Sequence, residues 1–410
     1  MTRRALPLFD VSGWSAADLA NPYPIYRRYR EDDPVHLGAT APTGGLDTWY
    51  VFRYGDVAAV LASLHFGRDT GGRTAAMVPD GYDTLRMIVE NWLVFMDPPR
   101  HTRLRSVINK KFIPKVVADL RPRVERIAAE LVGQMRGSPV ADLVEEFAAP
   151  FPILVISELL GVSGDSRDWF REKAMDLREG IASRKGRRSD GYALAEKAAR
   201  DLVAYFQEEI RRRRFRTHKD MMAVLVEAQR DGEPLTDEEL IGTSIHLLIA
   251  GHETTTNLIS KSVLVMLAHP EVADTLRSDP FLLPTAVNEF VRYDPPVQMV
   301  TRWAQRDEVV GTRQVRAGDK IVLVLGSANR DPLRFANPDA LLIHGRRTRH
   351  CGFGAGIHSC LGAPLARLET EIGLKLLLKT FWMQLTDDPV PYGEDIVFHG
   401  PTRLMVRTGH

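Results

Sequence analysis

From residue 99 to about residue 268 the chain repeats apolar positions at helical spacing. Leu120, Val124, Ile127, Ala128 and Leu131 fall on one face, as do Leu202, Val203, Phe206 and Ile210, the period of an amphipathic helix. Ahead of this block the pattern differs: Trp49-Tyr-Val-Phe52 reads as a strand and residues 54–61 as a short helix. Behind it, strands are expected over 308–310 and 320–325, punctuated by Gly311 and Gly318. A last helix carries Leu361, Leu365, Leu368, Ile372 and Leu376 on one face, and the apolar stretch 87–94 reads as a loop. The expectation is a mainly α fold with a smaller β-rich portion and no parallel βαβ series. No Ser/Gly-rich linker or repeat divides the chain, so residues 1–410 read as one domain.

One helix stands out. Thr236 and Glu239 form an S/T-x-x-E capping box, and Pro270 stops the helix at its far end. Such a helix spans about 48 Å at 1.5 Å per residue, enough to cross a domain. In its middle lies Ala250-Gly-His-Glu-Thr-Thr255, where Gly costs about 1 kcal/mol against Ala. Taken alone, this reads equally as a kinked core helix whose hydroxyls bond back to upstream carbonyls.

Composition narrows the class. Of 410 residues, 44% are hydrophobic and 26% charged, with a net charge of +1, which excludes disordered and collagenous chains. A near-neutral chain exerts no global pull on nucleic acid or anionic lipid. Two cysteines make no disulfide framework, which points to a reducing compartment. No apolar run approaches the roughly 18 residues of a spanning helix, and the start lacks a signal-peptide core. The cytoplasm, without a membrane, is the expected location.

The most informative stretch is Phe353-Gly-Ala-Gly-Ile-His358-Ser-Cys360-Leu-Gly362, preceded by Gly352. Closely spaced glycines describe a tight loop that lets backbone approach a ligand. Cys360 then opens the last helix, where unpaired N–H groups and the positive helix end are expected to lower a thiol's pKa. That environment suits a metal–thiolate bond, and axial Cys is one mode of haem ligation. A lone cysteine is also often a small buried hydrophobe. A G-x-G-x-x-G nucleotide loop fails because Ser359 takes the third Gly position. His252-Glu253 begins a zinc H-E-x-x-H motif, but position 256 is Thr. Cys351 matches no zinc spacing and reads as a structural thiol.

F-G-x-G-x-H-x-C-x-G over 353–362 is similar to the haem loop of the cytochrome P450 monooxygenases. Ala250–Thr255 resembles that family's A-G-x-[D/E]-T-[T/S] segment, and Glu289-Phe-Val-Arg292 its E-x-x-R pair. Asp97-Pro-Pro-Arg-His101-Thr-Arg-Leu-Arg105 and Ala328-Asn-Arg-Asp-Pro332 fit the bacterial pattern. The resemblance covers essentially the whole chain. It implies a triangular prism with haem b (iron protoporphyrin IX) between the long central helix and the Cys loop and last helix.

The resemblance also implies roles. Cys360 would ligate the iron, with Phe353, Gly354 and Gly362 shaping its loop. His101, Arg105, Arg302 and His358 would hold the propionates, and Ala250 would lie against the haem. Glu253 and Thr254 would relay protons during O₂ activation, and Glu289–Arg292 would be a structural ion pair. An Arg completing that pair is expected near position 345, where Gly345 is followed by Arg346 and Arg347; the member stays unassigned. Substrate contacts are expected from His246, Ile249, Ala250, Val297 and Met299, under a roof formed by 87–94. His246 also reads as a satisfied core histidine.

Two cysteines cannot hold an iron–sulfur cluster, so electrons must come from outside. Arg103, Lys110, Lys111, Arg346, Arg347 and Arg349 would form a basic dock for an acidic ferredoxin, served by a reductase and NAD(P)H. The basic runs 184–188 and 211–214 read as a solvated loop and a helix end. The leading expectation is a monomeric, ferredoxin-dependent oxidoreductase hydroxylating a small or mid-sized organic substrate of specialised metabolism. Alternatives are a peroxide-driven or non-hydroxylating member and a non-catalytic haem module.

Overall fold

The capping box does set the longest helix. In the computed structural model, which describes residues 6–39, 46–68, 78–162, 166–181, 189–216, 218–344 and 349–409, the central helix runs unbroken over Asp237–Ala268, 32 residues. The Thr236 hydroxyl accepts from Glu239 N–H and the Glu239 carboxylate accepts from Thr236 N–H, each at 3.1 Å. The hydroxyls along it cause no break. Ser244, Thr254, Thr256, Ser260 and Ser262 each donate to the carbonyl four residues back, at 2.7 to 3.0 Å, so they are satisfied without water.

This helix packs against Pro150–Leu160, the last helix Ala363–Thr380 and Leu283–Tyr293. Helices Arg167–Ile181 and Gly191–Phe215 pack along one another. One large apolar cluster runs through these helices, including Leu248, Ile259, Phe290 and Leu374. The expected loop at 87–94 is instead the helix Asp83–Glu90 followed by a tight turn at Leu93–Phe95. Leu85, Ile88 and Val89 bury one helical face. The Glu196 carboxylate, from Gly191–Phe215, accepts Leu85 N–H at 2.8 Å and Thr84 N–H at 3.3 Å, capping that helix from outside its own sequence.

The β portion is a five-stranded sheet in the order Val35–Ala39, Thr48–Val51, Lys320–Val324, Met299–Ala304, Phe66–Gly67. Only Thr48–Val51 with Lys320–Val324 is parallel. A three-stranded sheet joins Val140–Asp142, Met405–Gly409 and Trp382–Leu385. Strand alternation matters at Met299–Ala304, because successive side chains take opposite faces. Met299 packs into an aromatic cluster with Phe9, Tyr26 and Phe52, whereas Arg302 lies three positions on and takes the other face. Among the described residues, no helix is long and apolar enough to cross a membrane.

Candidate active site

Glycines build the loop that leads into the last helix. Gly354 and Gly356 have φ of +66° and +68°, a region glycine enters without strain. At Gly356 a Cβ would also sit 2.2 Å from the Leu61 carbonyl oxygen, so the turn lies hard against the helix Tyr54–Ala62. Gly354 N–H donates to Cys351 O (2.8 Å) and Cys360 N–H to Phe353 O (2.7 Å). Gly362 caps the last helix, and N–H groups of Gly362 and Ala363 bond the Cys360 sulfur. The Arg367 guanidinium stacks over Phe353 at 4.3 Å.

Cys360 is accessible to solvent, yet burial pushes its thiol above the ordinary value. The helix terminus was expected to lower this pKa. It pulls in that direction, as do Arg105 and Arg367, but the cost of removing an anion from water is larger. Cys351 is 2% exposed, and burial pushes it up to about 12; it stays a protonated, inert thiol.

Beside the loop, the fold gathers basic groups from separate elements. The rings of His101 and His358 lie 4.3 Å apart. Arg105, one turn beyond His101 on Arg100–Phe112, donates to Ser359 O at 2.5 Å. Among the described residues Arg302 donates only to its neighbour's carbonyl, Thr301 O, at 2.9 Å, and burial pulls its pKa down to about 10. Among the described residues, both ring nitrogens of His101 and Nε2 of His358 are buried without a hydrogen-bond partner. The Asp97 carboxylate approaches His358 Nε2 only to 3.6 Å. Burial, then the His358 and Arg105 charges, pull His101 down to about 4. Buried donors are rarely left unpaired. A group bearing two carboxylates would satisfy these nitrogens and match the charges of Arg105 and Arg302, so the two propionates of haem fit this rim.

The central helix supplies the other side of the site. Ala250 is exposed although Leu247, Leu248, His252 and Thr255 around it are buried. Thr254 Oγ1 donates to Ala250 O at 2.8 Å, leaving its oxygen lone pairs free to accept. Glu253 is ion-paired with Arg178 of Arg167–Ile181. His246 stacks on Trp92 at 5.2 Å, and burial, then the Arg68 charge, pull it down to about 4. Ile249 is half-buried against the main core. Val297 is half-buried against the smaller apolar cluster on which Ala355 of the Cys loop also packs, whereas Met299 is not brought to this group.

Glu289 and Arg292 pair through two bonds of 2.9 and 2.7 Å. Arg292 also donates to Asn329 O, Pro338 O and Ala340 O, and Glu289 accepts Leu342 N–H at 2.9 Å. The pair thus grips the segment leading to the Cys loop. Arg346 and Arg347 lie outside the described residues, as do the run 184–188 and the Lys111 side chain.

Arg103 is not available as a docking charge. It and Arg100 both donate to the buried Glu239 carboxylate at 2.8 Å, tying Arg100–Phe112 to the start of the central helix. Lys110 and Arg349 are exposed. Nor is the run 211–214 uniformly solvated: Arg213 is buried and pairs with Glu209 and Asp220. Sequence reasoning missed Arg68 and Arg178 and gave Asp97 and Glu239 no role in the site. Each meets its partner across a long sequence separation, so no local pattern announces it.

The comparisons agree with this geometry. A family model described as Cytochrome P450 matches residues 184–280 and 281–405. The putative cytochrome P450 YjiB of Bacillus subtilis is 37% identical, covering 92% of this chain and 92% of its own. The cytochrome P450 monooxygenase PikC of Streptomyces venezuelae is also 37% identical, over 92% of this chain and 88% of its own. The solved structure of the Bacillus subtilis bacillaene polyketide synthase cytochrome P450 PksS superposes with a TM-score of 0.87 at 33% identity, covering 98% of this chain and 100% of that one. The chain therefore belongs to the cytochrome P450 family of haem-dependent monooxygenases.

Proposed function

We propose that this protein is a single-domain, monomeric, cytoplasmic haem b monooxygenase that hydroxylates an organic substrate of specialised metabolism, using O₂ and electrons from a ferredoxin. The carrying observation is the accessible Cys360 beside buried, unpartnered His101 and His358 nitrogens. Cys360 would ligate the iron, and His101, Arg105, Arg302 and His358 would hold the propionates. When bound, the haem supplies reductive activation of O₂ at an iron made electron-rich by its thiolate.

The chain's own residues would do the rest. Ala250 keeps the middle of the helix free of bulk. Thr254, its proton committed to Ala250 O, offers an oxygen that accepts a hydrogen bond from a proton-carrying water. Glu253 sits next to it, held by Arg178, and supplies the acid of the relay. His246, Ile249 and Val297 would line the substrate's side. The specialised-metabolism reading follows the similarity to PksS, a polyketide biosynthesis cytochrome P450 that is 35% identical over 94% of this chain.

The test is the reduced, CO-bound spectrum. Cys360→Ser is expected to lose the thiolate-type band while Cys351→Ser keeps it. A thiolate band surviving in Cys360→Ser would overturn the assignment.

A further inference from the structure

Resting on that reading, we propose that Arg68 forms an anion-recognition site in the substrate pocket, and that the substrate carries a carboxylate. Arg68 follows the short strand Phe66–Gly67. Its backbone N–H donates to both Asp97 oxygens at 2.9 Å. Its guanidinium is fixed by two carbonyls, Val94 O at 2.8 Å through Nε and Thr301 O at 2.6 Å through one terminal nitrogen. The second terminal nitrogen has no acceptor among the described residues, and the Asp97 carboxylate acts on this side chain through its charge without a direct ion pair. The residue is only half-buried, yet burial, then the charge of Arg302, pull its pKa down to about 9.

Its place assigns it to the substrate wall. The guanidinium lies over the Phe95 ring at 5.4 Å. Phe95 stacks on Trp92 at 5.9 Å, and Trp92 on His246 at 5.2 Å. The cation therefore ends an aromatic wall whose other end is His246, four residues before Ala250 on the same helix face. Arg105 and Arg302 already match the two propionate charges, and the Asp97 carboxylate is engaged by the Arg68 backbone, Gln305 and His358. A guanidinium held rigidly by carbonyls, with an unused donor, suits carboxylate recognition. A carboxylate here would fix one end of the substrate and leave its alkyl or aryl body to extend along the apolar wall.

The experiment uses the holoenzyme and the shift of its ferric haem absorption on substrate binding. Dodecanoate and phenylbutyrate are titrated against their methyl esters, in the native protein and in Arg68→Gln, with haem retention followed in parallel. In the native protein the acids are expected to bind about tenfold to a hundredfold more tightly than the esters, the range of a charge-assisted hydrogen bond. Arg68→Gln is expected to abolish that preference without faster haem loss, and Arg68→Lys to restore part of it. No acid preference in either native pair overturns the proposal, with the proposed function intact if the thiolate spectrum is normal. Equal weakening of acid and ester in Arg68→Gln, with faster haem loss, also overturns it and moves Arg68 to the propionate rim. A native protein without the thiolate spectrum overturns both.

Discussion

Thr254 shows how little a residue must do to matter. Its hydroxyl proton is committed to Ala250 O, so the group acts through an oxygen that only accepts. Thr254→Ala removes that acceptor and keeps the helix. NADH or NADPH and O₂ consumption are expected to continue while product per reducing equivalent falls about a hundredfold, the lower end of the roughly 10²–10⁴ range of a positioned proton-transfer group, and peroxide rises. Unchanged coupling, measured as product against cofactor oxidised, would exclude this hydroxyl from the relay. Cys360 and Cys351 make the same point about environment. Both thiols are pushed up by burial and pulled back by two guanidiniums, but only Cys360 also has helix N–H groups pulling the other way. The motif identified which cysteine matters; the sign of its pKa shift came from desolvation, which no residue pattern reports.

Between elements, a few buried charges hold the site in place. Glu289 and Arg292 are both buried, and Arg292 bonds three carbonyls of the segment that precedes the Cys loop. Breaking such a pair leaves an uncompensated buried charge, at a cost of about 3–5 kcal/mol. Glu289→Gln is therefore expected to lower the urea midpoint and the haem content together, read by denaturation and by absorbance ratio; a variant with native values for both would show the pair to be dispensable. The capping box made the central helix legible at both ends, because Thr236, Glu239 and Pro270 act locally. The helix Asp83–Glu90 was misread as a loop because its N-terminal cap comes from Glu196, more than a hundred residues away. Local rules find elements that cap themselves and miss elements that others cap.

At the scale of the whole molecule, two properties are open to measurement. His246, His252, His350 and His399 are each pulled by burial from 6.5 to about 4. The unfolded chain binds protons at these sites as pH falls below about 6.5, while the native state resists until about 4, so stability falls with pH across that window. The urea midpoint is expected to be lower at about pH 5 than at about pH 7.5; a flat profile would show that other groups compensate. Docking is the second. Lys110 and Arg349 are exposed, whereas Arg103 is held by Glu239. Charge reversal at Lys110 or Arg349 is expected to slow reduction by an acidic ferredoxin and to flatten its dependence on ionic strength. Stopped-flow rates unaltered by both reversals would place the partner elsewhere. The sequence by itself determined the haem loop, the central helix, the ion pair, the mainly helical class and the family, because each is written in contiguous residues with a fixed period or spacing. Only the tertiary structure decided that Met299 turns away from Arg302, that Arg103 is tied to Glu239 and Arg213 paired in the interior, and that Arg68 meets the wall of His246, Trp92 and Phe95. Those outcomes depend on which distant chains share a buried volume, and burial sets both the cost of a charge and the partner that relieves it.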